Sequence, residues 1–348
     1  MAHLRKTATL EMVAERAGVS MKTASNAVNG TGRMADKTRD RVLAVVEELG
    51  YKVNVAARNL TRGRTDSLTL AVPTLKAAYL AELAEAVVET ARDMNLVVYV
   101  TTYPDDGATG SHRLLRQFNS QLTDGLLLSL SEHETLDKSA FNVDYPLVCF
   151  GSRNTYELVD RVTTDDVADA RAATEYLLAC GSTSIAVVGA HAPFDPRAIE
   201  AAYEGNAELR MRGVAEALAA AGRPLDPRLI GVTGYDWTIG SGFRAAMATV
   251  NAGVPFDGLV CFNDGLATGA ISALRESGLR VPTDVQVIGF DNVEESAFLT
   301  PPLTSMDSRI EWIARTGLER LVARINGATD PPASMMAHSK VIARDTTR

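Results

Sequence analysis

Cysteine is scarce in this chain, with Cys149, Cys180 and Cys261 the three among 348 residues. Two sit inside apolar runs, PLVCFG and GLVCFND, where a reduced thiol packs as a small hydrophobe. Neither a disulfide framework nor a zinc spacing is visible. The five histidines, His3, His112, His133, His191 and His338, are scattered without metal-ligand spacing, so no metal site is expected. Walker and G-x-S-x-G motifs are missing, which removes the usual signatures of nucleotide hydrolysis and serine-nucleophile chemistry. GTGRMA, residues 30 to 35, fits G-x-G-x-x-A, but a polar helix precedes it where the dinucleotide fingerprint needs a strand. It reads as a loop between helices. No catalytic constellation, enzyme activity or cofactor is expected.

Long hydrophobic runs are absent as well. MAHLRKTATLEMVAERAG is interrupted by Arg5, Lys6, Glu11, Glu15 and Arg16 and lacks the apolar stretch of an export signal. Nothing downstream approaches a membrane span. These absences predict a cytoplasmic chain with no membrane partner, and they argue against a secreted solute-binding protein.

Positive charge is short overall, the formal net charge being −8. Its distribution is uneven: residues 1 to 66 hold 12 Lys+Arg against 7 Asp+Glu, a balance of +5, which leaves −13 on the remainder. A basic appendage on an acidic body suits contact with a polyanion. The length suggests two or three domains.

Thr9 is positioned to cap a helix in which Leu10, Val13, Ala14 and Ala17 recur at helical spacing, and Gly18 can end it. After a turn, Ser20 caps a second helix with Ala24, Ala27 and Val28 on one face and Met21, Lys22, Ser25, Asn26 and Asn29 on the other. Small inward residues let two helices cross closely. The outward ammonium, amide and hydroxyl groups can read base edges or hold phosphates in a major groove. A third helix over Ala35 to Leu49, with Val42, Val45, Val46 and Leu49 in one stripe, closes a three-helix unit. Any amphipathic hairpin with surface Lys and Asn looks similar; the segment YKVNVAARNLTRGRT tips the balance toward DNA. It is a basic linker in which Leu60, beside Arg58, Arg62 and Arg64, suits a minor-groove wedge.

TLEMVAERAGVSMKTASNAVNG resembles the helix-turn-helix signature of the lactose-repressor (LacI/GalR) family of bacterial transcription regulators. ADKTRDRVLAVVEELGYKVNVAARNL resembles the family's third helix and hinge, and the similarity continues to the C-terminal VIARDTTR. The resemblance implies that Met21, Lys22 and Asn26 contact base edges and that Leu60 is the hinge leucine that wedges into the operator. With their neighbours, the expected DNA-contacting set is Ser20, Met21, Lys22, Thr23, Ser25, Asn26, Asn29, Asn54, Ala57 and Leu60. Where the family most often has Val-Ser-Arg, this chain has Ala24-Ser25-Asn26, replacing an arginine that suits guanine with an amide that suits adenine.

From Leu68 onward, short apolar runs (LTLAVP, LVVYVTTY, GLLLSL, PLVCFG, SIAVVGA, LIGVTG, GLVCFND, VQVIGFD) alternate with helical stretches. These predict buried parallel strands with crossover helices such as 80–95, 168–180 and 207–222. The expected architecture is α/β: a three-helix head over residues 1–52, a hinge over 53–66, and a two-lobed, periplasmic-binding-protein-like body. Its first lobe takes 67–165 plus about 303–333; its second takes 166–302 plus about 334–348.

Ligands of open α/β sheets bind at strand carboxyl ends, so two facing lobes form a cleft. Tyr79, Arg153, Asn263 and Asp291 stand at or just beyond such ends. Carboxylates, an amide and guanidinium groups around aromatic platforms suit a polyhydroxylated ligand. The family resemblance implies Arg210 as the effector-binding arginine, Trp237 as an aromatic contact of sugar-binding members, and Asn263 and Asp291 as further ligand positions. Gly151 stands where some members carry an acid. Each has a plainer reading: Asp264 and Asp291 as helix caps, Arg210 paired with Glu204 or Glu208, Trp237 as core. The expectation is a homodimeric transcriptional repressor that binds a pseudo-palindromic operator and answers to a small sugar-like effector; a nucleoside or purine corepressor is the alternative.

Overall fold

The Thr9 and Ser20 hydroxyls each accept a backbone N–H three residues on, from Met12 at 3.3 Å and from Thr23 at 3.1 Å. Helices α1 (Leu10–Ala17) and α2 (Met21–Asn29) start there, and α3 spans Asp36–Leu49. The computed structural model describes residues 8–52, 64–105, 107 and 109–348, and the chain divides into two units, Met1–Thr65 and Asp66–Arg348. In the first unit, Val13, Ala14, Ala17, Ala24, Ala27, Val42 and Val45 form the core. Alanines at the α1–α2 contact keep the axes close; Val13 and Val42, fully buried, contribute about 1.5–3 kcal/mol each.

The second unit begins with β1 (Ser67–Val72), α4 (Ala78–Asp93), β2 (Val97–Thr102), α5 (Gly110–Gln117), β3 (Leu126–Ser129), β4 (Leu147–Phe150) and β5 (Asp160–Thr164). It continues through α6 (Asp166–Ala179), β6 (Ile185–Ala190), α7 (Pro196–Ala201), α8 (Asn206–Ala220), β7 (Ile230–Val232), α9 (Ile239–Asn251), β8 (Gly258–Cys261), α10 (Asp264–Glu276), β9 (Gln286–Asp291) and β10 (Thr304–Asp307). Helix α11 (Ile310–Ile325), β11 (Ser334–Ala337) and β12 (Lys340–Ile342) follow. Two six-stranded sheets result, in the orders β11-β5-β4-β3-β1-β2 and β12-β10-β9-β8-β6-β7.

All pairings are parallel except β10 with β12. Leu70, Leu127 and Val148 align across the first sheet, and Val187, Val260 and Ile288 across the second. All six are fully buried, as strands covered by helices on both faces require. Helices α9 and α10 cross so closely that a Cβ on Gly269 would run into the Ile239 carbonyl.

The crossings between lobes come later than the sequence suggests. Strand β10 lies in the second sheet rather than the first, and β11 lies in the first rather than the second. Buried Asp160 on β5 explains the second placement: its carboxylate accepts from Arg324 Nε at 2.6 Å and from Ala333 N at 2.9 Å, drawing α11 and β11 onto β5. Arg320 Nε joins at 2.9 Å.

Candidate functional site

A cavity of about 660 Å³ opens between the two sheets, lined from both at their carboxyl ends. Tyr79, at the start of α4, faces it from the first lobe; Arg210, Trp237, Asn263 and Asp291 face it from the second. Five of the six expected effector-contact residues therefore converge.

Arg210, on α8, is 6 % exposed and so belongs to no solvated helix face. Its Nε donates to Asp166 Oδ1 at 2.7 Å and its Nη1 donates to the Phe262 carbonyl. Its guanidinium lies 4.5 Å from the Phe290 ring centroid and 5.6 Å from that of Trp237. Burial alone would lower its pKa, but Asp166 and Asp291 outweigh that and hold it above the ordinary value. Pairing with Glu204 or Glu208 does not occur. Among the described residues, none accepts from Nη2, which leaves that end of the fork for a ligand.

Asp166 was not evident from the sequence. It follows Asp165, whose side chain caps α6, and the following position turns its carboxylate inward to Arg210 and the Ser152 hydroxyl. An acid directly after the cap was the available signal.

Asp291 ends β9 with φ 101, a left-handed value rare for any residue but glycine. Strain of this kind clusters at ligand sites. Burial pushes its carboxyl up to about 6, partly offset by Arg210. Burial, with the Asp291 charge, also raises the Tyr79 phenol, which stays protonated and available as a donor.

Asn263 caps α10, its Oδ1 accepting from Leu266 N at 2.7 Å, while its Nδ2 donates to the Trp237 carbonyl at 3.2 Å. Asp264 is thus not the cap. It is buried and accepts from Ser296 and Ser305, each at 2.6 Å, and from Val293 N at 3.1 Å. Burial and nearby Asp291 push it up to about 8. Trp237 packs against the second-sheet core and donates Nε1 to the Gly189 carbonyl at 3.1 Å, yet it lines the cavity. Trp237 is thus part core and part cavity wall.

Arg153 is a correction, since it is not among the residues lining the cavity. It is drawn aside by acids, with Nε 3.6 Å from Glu132 and Nη1 3.9 Å from Glu204. Here the lobes meet: Asn154 N donates to Glu204 Oε2 at 2.8 Å, and Asn206 N donates to Glu132 Oε2 at 3.1 Å. Arg153 braces the junction between lobes.

The sequence also left unread how Trp237 joins a run of rings that passes along the cavity and beyond it at both ends. Phe262, Trp237, His191, Tyr235 and His133 follow one another at centroid separations of 6.0, 5.6, 4.2 and 4.3 Å. His191 and Tyr235 line the cavity together with Asp105, Glu132 and Asp236. No periodicity marks these residues, because four different loops supply them, Tyr235 and Trp237 sharing one.

In the N-terminal unit, Met21 and Lys22 are exposed at the start of α2, while Ser25, Asn26 and Asn29 are half-buried. Ser20 and Thr23 share the cap, their hydroxyls 2.9 Å apart. Asn29 Nδ2 donates to the Ser25 carbonyl at 2.8 Å, so it is partly used within the helix. Asn26 lies beneath the following turn, where the Thr31 hydroxyl donates to its Oδ1 at 3.4 Å. Asn54, Ala57 and Leu60 lie outside the described residues. Among the described residues no group of His, Cys, Asp and Glu could hold a metal ion, and no helix is long and apolar enough to cross a membrane.

Residues 9–54 match the bacterial regulatory proteins of the lacI family, and residues 174–347 match a periplasmic binding protein-like domain. The chain is 32 % identical to the HTH-type transcriptional regulator CelR of Thermobifida fusca over 98 % of its own length and 99 % of the relative's. A structure of CelR in complex with cellobiose is 29 % identical, with a TM-score of 0.70, covering 97 % of this chain and 99 % of that one. The lac repressor dimer bound to operator and the anti-inducer ONPF is 25 % identical, with a TM-score of 0.83, covering 98 % and 99 %. Three-helix head, paired parallel sheets and full-length similarity agree: the chain belongs to the LacI family of DNA-binding bacterial transcription regulators.

Proposed function

We propose that this regulator is a repressor that binds a pseudo-palindromic operator as a homodimer and changes its affinity when a sugar-like effector fills the interlobe cleft. The observation that carries the effector reading is Arg210, buried at the cleft floor with Asp166 on one edge and a free Nη2 on the other. A guanidinium held this way is pre-organised to donate to a hydroxyl. Tyr79 and Asp291 flank it with a donor and an acceptor, and the Trp237 ring offers a stacking face. The cellobiose bound by CelR supports a sugar.

A two-fold pair doubles the base contacts of one short reading helix, and the lac repressor dimer on its operator supports that arrangement. The first sheet ends at β2, whose Val97, Tyr99 and Val100 stand exposed and offer apolar surface for a second copy. Cleft closure then repositions the first lobes of the pair, and coupling of about 1–3 kcal/mol changes operator affinity roughly 5- to 150-fold. Action on DNA places the protein in the bacterial cytoplasm, on the nucleoid when bound to operator.

The test is selection of bound duplexes from a randomised pool by the full-length protein and by its Lys22→Ala, Asn26→Ala variant. Enrichment of a two-fold motif by the parent, altered or lost in the variant, supports the reading. Absence of enrichment even at low salt, where phosphate contacts are strongest, rejects it.

A further inference from the structure

The cleft is acidic at every level. Asp105, Glu132, Asp236 and Asp291 line it, while its arginine and lysine are Arg210, already paired with Asp166, and the exposed Lys76. An anionic ligand entering here meets carboxylates and finds no unpaired buried guanidinium to offset its desolvation. An ammonium ligand gains nothing from Arg210 at the floor, because a guanidinium and an ammonium both only donate and Nη2 is then left without an acceptor. Hydroxyl groups satisfy both kinds of neighbour, donating to the carboxylates and accepting from Arg210 Nη2.

The cavity is also larger than one sugar ring requires. At about 660 Å³ it has the volume of roughly twenty waters. The ring wall leads away from Arg210: Trp237 to His191 is 5.6 Å, His191 to Tyr235 4.2 Å, and Tyr235 to His133 of the first lobe 4.3 Å. Polar groups accompany it outward. Asp105 Oδ1 lies 3.6 Å from His133 Nδ1 and accepts from the Ser131 hydroxyl, while Asp236 Oδ2 lies 3.4 Å from Arg244 Nη2. No described residue donates to Asp105 Oδ2 or Asp236 Oδ1, so both oxygens are open to ligand hydroxyls.

We propose that the cleft selects an uncharged saccharide of more than one ring, with Arg210, Asp291 and Trp237 holding one ring and Asp105, Asp236 and Tyr235 holding the next. This rests on the sugar-like effector argued above and narrows it by charge and length. Asp105 and Asp236 come from different lobes, so a ligand bridging them stabilises the closed cleft in a way a single ring at Arg210 does not.

The experiment is calorimetric titration of the full-length protein with cellobiose, maltose, lactose and trehalose, with cellobionate and trehalose 6-phosphate as anionic counterparts, and with glucose, glucosamine and hypoxanthine. At least one neutral disaccharide is expected to bind, at least about tenfold tighter than its anionic counterpart and than glucose. Asp236→Asn and Asp105→Asn, at partly exposed positions, are each expected to weaken the disaccharide about tenfold and to leave glucose binding unchanged. Tightest binding of glucose, glucosamine, trehalose 6-phosphate or cellobionate overturns the inference while leaving a sugar-like effector in place. Binding of hypoxanthine alone, or of none of these, overturns the sugar reading and the inference with it. Equal losses for disaccharide and glucose in both variants overturn the two-ring assignment.

Discussion

Arg210 Nε lies 2.7 Å from Asp166 Oδ1, and neither residue is more than 6 % exposed. The pair fixes the cleft floor, because Arg210 sits on α8 of the second lobe and Asp166 begins α6 just after the chain leaves β5 of the first. Removing Asp166 alone leaves a buried guanidinium uncompensated, so Asp166→Ala is expected to destabilise the body by about 3–5 kcal/mol. The double variant Asp166→Leu, Arg210→Met is expected to recover most of that loss and to bind no effector. Urea unfolding monitored by tryptophan fluorescence gives the stability, and calorimetry the binding. A double variant no more stable than Asp166→Ala counts against the pairing as the cause.

Buried carboxylates in the cleft make stability depend on pH. Burial pushes Asp291 up to about 6, Glu132 to about 7 and Asp264 to about 8, each above its ordinary value of 3.8, 4.5 or 3.8. The folded chain therefore holds protons that the unfolded chain releases. The stability tied to these groups is fully present below about pH 4 and is lost as pH rises through about 6 to 8. Melting temperature is expected to climb as pH falls from about 8.5 to about 5.5, and Asp264→Asn is expected to flatten the upper part of that curve. Asp284, held at about 2 by its Arg280 hydrogen bonds, acts in the opposite sense and only at lower pH. A melting temperature that falls steadily over the same range contradicts these assignments.

Helix α2, proposed above to read bases, offers a test through a residue outside it, Gly32 in the turn that follows. A Cβ on Gly32 would lie 2.6 Å from Asn26 Nδ2, and Gly32 has φ +74, so alanine there is strained and also displaces the amide. Gly32→Ala is expected to cost about 1 kcal/mol of stability in the head. It is also expected to relax base preference at the same operator position as Asn26→Ala. Duplex selection with each variant compares the positions. Altered preference with Asn26→Ala but an unchanged motif with Gly32→Ala means that the turn does not set the amide.

What the sequence made legible follows burial on both faces. LTLAV, GLLLS and GLVC are mostly apolar, with Thr69 and Ser129 the exceptions, because helices cover both sides, so β1, β3 and β8 announce themselves. Strand β5, DRVTT, hides because its Asp160 is buried as an ion-pair hub rather than as an apolar contact. Strand β11, SMMA, hides because it is a sheet edge exposed at Ser334 and Met336. The same logic divides the site. Arg210, Trp237 and Asp291 were reachable by resemblance, whereas the partners that decide how Arg153 and Arg210 are used, Glu132 and Asp166, lie 21 and 44 residues away and meet them only in the fold.

Arg153 yields the last prediction. Its guanidinium stands between Glu132 of its own lobe and Glu204 of the other, where Asn154 N also donates to Glu204. Arg153→Gln keeps a polar side chain but removes the charge that offsets two acids at the junction, and Glu204→Gln removes one of those acids. If the cluster holds the lobes together rather than gripping ligand, both changes are expected to enlarge the ligand-free protein in small-angle scattering. Each should weaken effector binding by less than about tenfold, since the contacts at Arg210 survive. Arg210→Ala should do the reverse, abolishing binding with the ligand-free dimensions unchanged. Loss of all effector binding in Arg153→Gln with unaltered dimensions would instead place Arg153 against the ligand.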